Sequence, residues 1–475
     1  MYYYKHIYIF FLLIFINISS GKPKGENNLL FQRRCKRGNI LGGCLGGGST
    51  SRRSNQPFKQ RKGKEHVEEE SEVKGGNSMK RALFVCHNSF YSHLKLNNIK
   101  HILQQNYAFG IAEFTEMAGA FAMFEDLGIE NTFNIYASIF LPSHFQFLDF
   151  NILKHIEGGN VIPEFDFAKP GDWIEEGGIS YFNPERFGEN LEAYKKGMDY
   201  DRIYYENTSM ALTEAMKREN NDQYLKDLFG KIKYHFVNQN KFANFEAFPK
   251  PLNIIYIGGI LVEENEKINI RTAKNYGELP LVLVSFGTVK QGGIVAAVDI
   301  QIMVDAFRNH RDSYYFKIRT GEECAPAIKD NIEITNDFLQ QPEILCNFSR
   351  LHAGVHPNTR LFISHCGQNS LTEAIYAGVP LICIPHSGDQ FYNSSLVEHL
   401  GIGKYVLLTF KDERGNNQRN GNFQNDFSEA LNEMLNNFDK YFHAMHQLRM
   451  KILNDYNNVG AKKTFLDTIS KAIGD

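Results

Sequence analysis

Nine consecutive residues, HCGQNSLTE from His365 to Glu373, place a histidine, a thiol, a glycine, several neutral polar groups and an acid between two apolar runs. The run before them is TRLFIS and the run after is AIYAGVPLICIP. TRLFIS reads as a buried strand and SLTEAIYAG as a helix with Asn369 or Ser370 at its N-cap. CGQN is then the turn, with Gly367 permitting close backbone approach. The first amides of such a helix, backed by its dipole, form an anion site suited to phosphate. Asn369 and Ser370 add donors, and His365 can donate to a phosphate oxygen. Glu373, read as part of the first turn, would repel phosphate but would accept hydrogen bonds from neutral hydroxyls such as a ribose diol. Phosphate donors beside a diol acceptor describe a nucleotide. A well-capped helix in an ordinary α/β core accounts for the same residues taken alone, so the flanking pattern has to decide.

The elements that must position these residues repeat in two series. The first opens at KRALFVCHNSF, where residues 82–86 read as a buried parallel strand. LKLNNIKHILQQ follows with helical spacing, then the strand-like FGIAEF, the helical AGAFAMFEDLG and the strand-like FNIYASIFL. Residues 170–230 read mainly as helices and loops, and IIYIGGI (254–260) as another buried strand. The second series runs from PLVLVSFGT through helix IQIMVDAFRNH, strands SYYFKIRTG, NIEITNDF and TRLFISHCG, helix SLTEAIYAG and strand PLICIP to a helix opening near Gln390. Strands alternating with helices predict an α/β fold of two Rossmann-like domains with parallel sheets. Ser285, His365 and Asp389 fall at carboxyl ends of strands, where open α/β sheets bind ligands.

Composition narrows the partners. The chain has 475 residues, 43% hydrophobic and 22% charged, with a formal net charge of −2. With no broad basic excess, nucleic acid is not an expected partner. Residues 1–20 read as a secretory signal, since Lys5 and His6 precede the apolar IYIFFLLIFINI and small residues follow. The predicted compartment is therefore the secretory pathway, in the endoplasmic reticulum lumen or secreted. No later stretch is apolar enough for a transmembrane helix. Residues 21–79, rich in glycine, serine and clustered charge, read as a disordered low-complexity insert. Cys86, Cys366 and Cys383 sit in apolar runs and are expected to be buried thiols, without a disulfide framework or zinc site. Asn207, Asn347 and Asn393 begin N-x-S/T sequons.

The flanking pattern resolves the nucleotide question by resemblance. FLQQPEIL precedes the cluster and HSGDQFYN follows it. The run F-x-x-Q … HPNTRLFISHCGQNS-x-x-E … GVP-x-x-x-IP-x-x-x-DQ-x-x-N, with SFGT and IGGI upstream, resembles the signature of the UDP-glycosyltransferases over about residues 250–470. The resemblance implies a GT-B fold, with the UDP-sugar on the C-terminal domain (251–475, ending in closing helices) and the acceptor in the cleft beside the N-terminal domain (80–250). By the same match Phe338 takes the place of the tryptophan that stacks on uracil, and Gln341 lies beside the base. His365, Gly367, Asn369 and Ser370 match diphosphate contacts, Glu373 the ribose ligand, and Asp389 with Gln390 the pair that holds the donor sugar. Ser285, Gly287 and Thr288 match the loop near the phosphates.

Transfer of a hexosyl group to a hydroxyl needs a general base and stabilisation of the leaving diphosphate. His93 in YSHL matches the family base, with His87 as competitor. Glu113 in FGIAEFTEM matches the orienting acid, with Glu116 as fallback. No D-x-D-like metal pattern is present, so no metal and no other cofactor is expected. The expected substrates are UDP-glucuronate or UDP-glucose and a small lipophilic hydroxyl acceptor, with inverting transfer. Three departures stand against the pattern: the N-terminal domain is shortened after Gln105, residues 346–355 interrupt the signature, and the family's membrane anchor is not seen. They motivate the alternative of a degenerate, non-catalytic UDP-sugar-binding protein of the same fold.

Overall fold

The computed structural model describes residues 81–84, 106–177, 179–216, 222–264, 279–287, 295–320, 324–346, 358–411, 417–456 and 459–474. The signal segment, the 21–79 insert, Cys86, His87, His93, Thr288 and nearly all of the 346–355 interruption lie outside the described residues.

The first series begins with β1 (Arg81–Phe84), β2 (Tyr107–Ala112), α1 (Phe114–Asp126) and β3 (Thr132–Tyr136). It continues through α2 (Ile152–Glu157), β4 (Trp173–Glu176), β5 (Ile179–Phe182), α3 (Phe187–Met216) and α4 (Asp222–Gly230) to β6 (Tyr234–Val237), β7 (Ile254–Tyr256) and α5 (Ile260–Glu264). β1, β2, β3, β6 and β7 form a parallel sheet in that order. Phe133 and Phe236 are fully buried in it, as expected of strands covered on both faces.

Two local readings are corrected. IIYIGGI is not one strand: β7 ends at Tyr256 and α5 starts at Ile260. Gly258 and Gly259 break it because two segments press on them. A Cβ at Gly258 would lie 2.4 Å from the Gln239 carbonyl carbon, and one at Gly259 (φ +102°) 2.2 Å from the Tyr376 hydroxyl. Within 170–230 the antiparallel hairpin β4/β5 stands where helix and loop were expected.

The second series is β8 (Leu281–Ser285), α6 (Ala297–Phe307), β9 (Tyr315–Arg319), β10 (Ala327–Lys329), β11 (Ile332–Thr335), α7 (Gln341–Leu345) and β12 (Thr359–Ser364). Then come α8 (Gln368–Ala377), β13 (Leu381–Cys383), α9 (Asp389–His399), β14 (Gly403–Tyr405), α10 (Phe423–Asn436), α11 (Phe438–Tyr456) and α12 (Ala461–Ile473). The sheet order is β10-β11-β9-β8-β12-β13-β14, parallel except for β10. The chain winds outward from β8 in one direction and from β12 in the other. The crevice between the carboxyl ends of β8 and β12 is therefore the topological switch point of this sheet.

The two sheets share a core. Trp173 of the hairpin stacks on Phe245, meets His399 of α9 with ring centroids 4.0 Å apart, and donates from Nε1 to Ser395 Oγ at 2.9 Å. α12, which closes the second domain in sequence order, packs instead on the first sheet. Its buried Phe465 and Ile469 join Ile111, Phe133 and Phe236. An amphipathic helix goes where its apolar stripe is covered, and here the open face of the first sheet covers it.

Candidate functional site

Ser285 and Ser364 are register partners at the ends of β8 and β12. The polar loop leaves β12 through His365, whose imidazole is held between two glycines. A Cβ on Gly287 would come within 3.0 Å of that ring, and one on Gly367 within 2.7 Å. Gly287 also has φ +85°, which side chains disfavour. Burial lowers the His365 pKa to about 4, and that of neighbouring His386 to about 3. His365 is therefore a neutral hydrogen-bonding group at pH 7, not a charge.

The helix start differs from expectation. Gly367, extended at φ −60° and ψ 152°, is the N-cap of α8, and no side chain caps it locally. Asn369 and Ser370 lie in the first turn, and Glu373 lies one turn further on rather than within the first. The reason is on α9: Asp389 Oδ2 accepts the Gln368 amide at 3.1 Å, so a remote carboxylate does the work of a cap. The same Oδ2 accepts Ser138 Oγ at 2.5 Å. Burial raises the Asp389 pKa, and these hydrogen bonds oppose the rise.

Gln341, the first residue of α7, donates from Nε2 to Glu373 Oε2 at 2.8 Å and to Ser370 Oγ at 3.2 Å. This joins three of the expected ligands into one polar group. Phe338 lies just before it with 64% of its surface exposed, so its ring face is open to a base. The Arg319 guanidinium sits 5.9 Å from that ring and donates to the Gly287 carbonyl. The Gln390 side-chain oxygen is engaged by its own loop. The residue is 2% exposed, and its Oε1 accepts the His386 amide at 3.0 Å and the Ser387 amide at 3.3 Å.

Glu113 precedes α1 at the end of β2, where the sequence put it, and is 4% exposed. Its expected partner His93 and the competitor His87 lie outside the described residues, as does the side chain of Glu116.

Two cysteine readings are corrected. Cys366 and Cys383 are not thiols; they form a disulfide with Cα atoms 5.4 Å apart. It staples the loop after β12 to the end of β13, one strand beyond. Adjacent parallel strands bring the two residues together, although 17 positions separate them. Asn393 is fully buried and donates to the Cys366 carbonyl at 3.1 Å, so its sequon is closed to modification in the folded chain. Asn347 and the side chain of Asn207 lie outside the described residues.

Sequence reasoning missed Ser138, Asn238 and Arg319. Arg319 ends a strand beside β8, a position that could have flagged it. Ser138 and Asn238 come from the first domain and carry no local signal. Among the described residues, no three His, Cys, Asp or Glu side chains gather as a metal site, and no helix is long and apolar enough to cross a membrane.

Two parallel α/β sheets that share a core, with the polar HCGQNS loop at the switch point of the second, make a GT-B-type fold. Over residues 202–438, just under half of its length, the chain matches the family described as UDP-glucoronosyl and UDP-glucosyl transferase. The relative ugt-47 of Caenorhabditis elegans, named as a UDP-glucuronosyltransferase, is 27% identical over 304 residues, 61% of this chain and 52% of that protein. UDP-glucuronosyltransferase 3A1 of Mus musculus is 27% identical over 285 residues, 58% of this chain and 49% of that protein. The chain thus spans about half the length of these curated relatives. Among solved structures, Phytolacca americana UGT2 complexed with UDP-2-fluoro-glucose and pterostilbene is 16% identical, with a TM-score of 0.48 and 80% of each chain covered.

Proposed function

We propose that this protein transfers a glucuronosyl or glucosyl group from a UDP-sugar to a hydroxyl of a small lipophilic acceptor, with inversion at the anomeric carbon. The observation that carries the reading is the group Gln341–Ser370–Glu373 beside the open Phe338 ring. It offers a stacking face, a diol acceptor and the first turn of α8 in the order of base, ribose and diphosphate. The names of the relatives, which include both glucuronosyl and glucosyl transferases, support either donor.

In this reading the acceptor oxygen attacks the anomeric carbon while the bond from that carbon to the diphosphate oxygen breaks. His93 takes the acceptor proton and Glu113 stabilises the imidazolium. UDP leaves with the bonding pair, its charge met by the α8 amides, Asn369, Ser370 and the neutral His365. No metal is needed for that charge. In this reading the protein works in the secretory pathway, in the endoplasmic reticulum lumen or after secretion, and the buried Cys366–Cys383 disulfide supports an oxidising compartment.

The test joins binding and turnover. Glu373→Ala should weaken UDP binding roughly tenfold or more, since hydrogen bonds to charged groups are worth about 1.5–3 kcal/mol. His93→Ala should lower transfer to a panel of phenols and lipophilic alcohols by about 10²–10⁴-fold and leave UDP binding unchanged. Unchanged UDP affinity in a folded Glu373→Ala variant removes the nucleotide reading. A wild type that binds UDP and transfers to nothing removes the enzymatic one.

A further inference from the structure

Asn238, just beyond β6 in the first domain, donates from Nδ2 to two oxygens: the Ala137 carbonyl at 2.8 Å and Asn369 Oδ1 at 3.0 Å. The first contact fixes the second. A backbone carbonyl only accepts, so the Asn238 amide nitrogen must face Ala137. The other hydrogen of that nitrogen then requires an acceptor on Asn369, which its Oδ1 supplies. With Oδ1 turned to Asn238, the Asn369 Nδ2 donor lies on the opposite edge of the amide.

We infer that Asn238 is a positioning residue that orients the Asn369 amide so that its donor faces the donor diphosphate. This rests on the proposed role of α8 as the diphosphate site. A free asparagine amide presents its acceptor or its donor with similar ease, and the acceptor edge repels a phosphate oxygen. Tying Oδ1 to the opposite domain removes the wrong orientation before the ligand arrives. It also makes one diphosphate contact depend on the two domains lying together, because the ties come from the loops after β3 and β6.

The experiment is a double-mutant cycle read by calorimetry with UDP and with uridine, which shares the base and ribose but has no diphosphate. Asn369→Ala is expected to weaken UDP about tenfold, and Asn238→Ala about fivefold. In the Asn369→Ala background, Asn238→Ala should change UDP affinity by less than about 1.5-fold. Uridine affinity should be unchanged in all variants, and circular dichroism confirms folding. If Asn369→Ala leaves UDP binding intact, the diphosphate reading falls and the inference with it. If Asn369→Ala weakens UDP but the two effects simply multiply, or uridine weakens equally with UDP, the inference alone is overturned.

Discussion

Ser138 and Asp389, 251 positions apart, are joined by a 2.5 Å hydrogen bond from the Ser138 hydroxyl to the carboxylate oxygen that also accepts the first amide of α8. One oxygen thereby fastens a first-domain loop, the start of α8 and the start of α9.

Removing the hydroxyl therefore tests the fastening separately from the ligand. Ser138→Ala should lower unfolding stability by about 1.5–3 kcal/mol, the range for a hydrogen bond to a charged group. UDP affinity should stay within about twofold, because Asn369, Ser370 and Glu373 keep their places. Chemical denaturation and calorimetry on the same sample read both quantities. A variant as stable as wild type would mean that the contact adds nothing.

The disulfide gives a second prediction. Replacing both cysteines by alanine should cost about 3 kcal/mol, as for loops of about this length. Cys366 also has φ +59°, a left-handed conformation that penalises residues with a Cβ. Glycine there is free of that penalty, so Cys366→Gly with Cys383→Ala should be about 1 kcal/mol more stable than the double alanine. Equal denaturation midpoints would refute the strain argument.

Stability against pH follows from two opposed sets of buried groups. Burial lowers the pKa of His144, His235 and His386 to about 3 and of His365 and His399 to about 4, from an ordinary 6.5. The unfolded chain binds these protons and the folded chain does not, so stability is lost as pH falls below 6.5. Burial raises Glu164 to about 8, Glu263 and Glu398 to about 7 and Asp201 to about 6. The folded chain keeps these protons where the unfolded chain has released them, so stability is lost as pH rises through those values. Denaturation midpoints should peak near about pH 6.5 and fall on both sides. A midpoint that climbs steadily from pH 6 to 8 would contradict the burial of these acids.

Metal dependence is a fourth test. If backbone amides and neutral side chains meet the diphosphate, EDTA should leave UDP affinity and transfer rate unchanged. A strict requirement for added Mg²⁺ or Mn²⁺ would show that the charge is met in another way.

What the sequence made legible was local. β8 and β12 were plain because LVLV and LFI are unbroken apolar runs, as buried parallel strands require. The α8 loop was plain because its polar residues are contiguous. The cap was misplaced because the group that replaces it, Asp389, lies on another helix. The disulfide was missed because strand adjacency, not chain spacing, brings Cys366 to Cys383. Asn238 and Ser138 were invisible for the same reason, since their partners stand 131 and 251 positions away. The hairpin at Trp173 hid within a stretch too short for its alternation to stand out.

The return of α12 to the first sheet has a mechanical consequence. The polypeptide passes from one sheet to the other twice, once between α5 and β8 and again between α11 and α12. A single strap would let two bodies swivel about any direction. Two crossings together with the shared core oppose that swivel, and so keep Asn238 and Ser138 in register with Asn369 and Asp389.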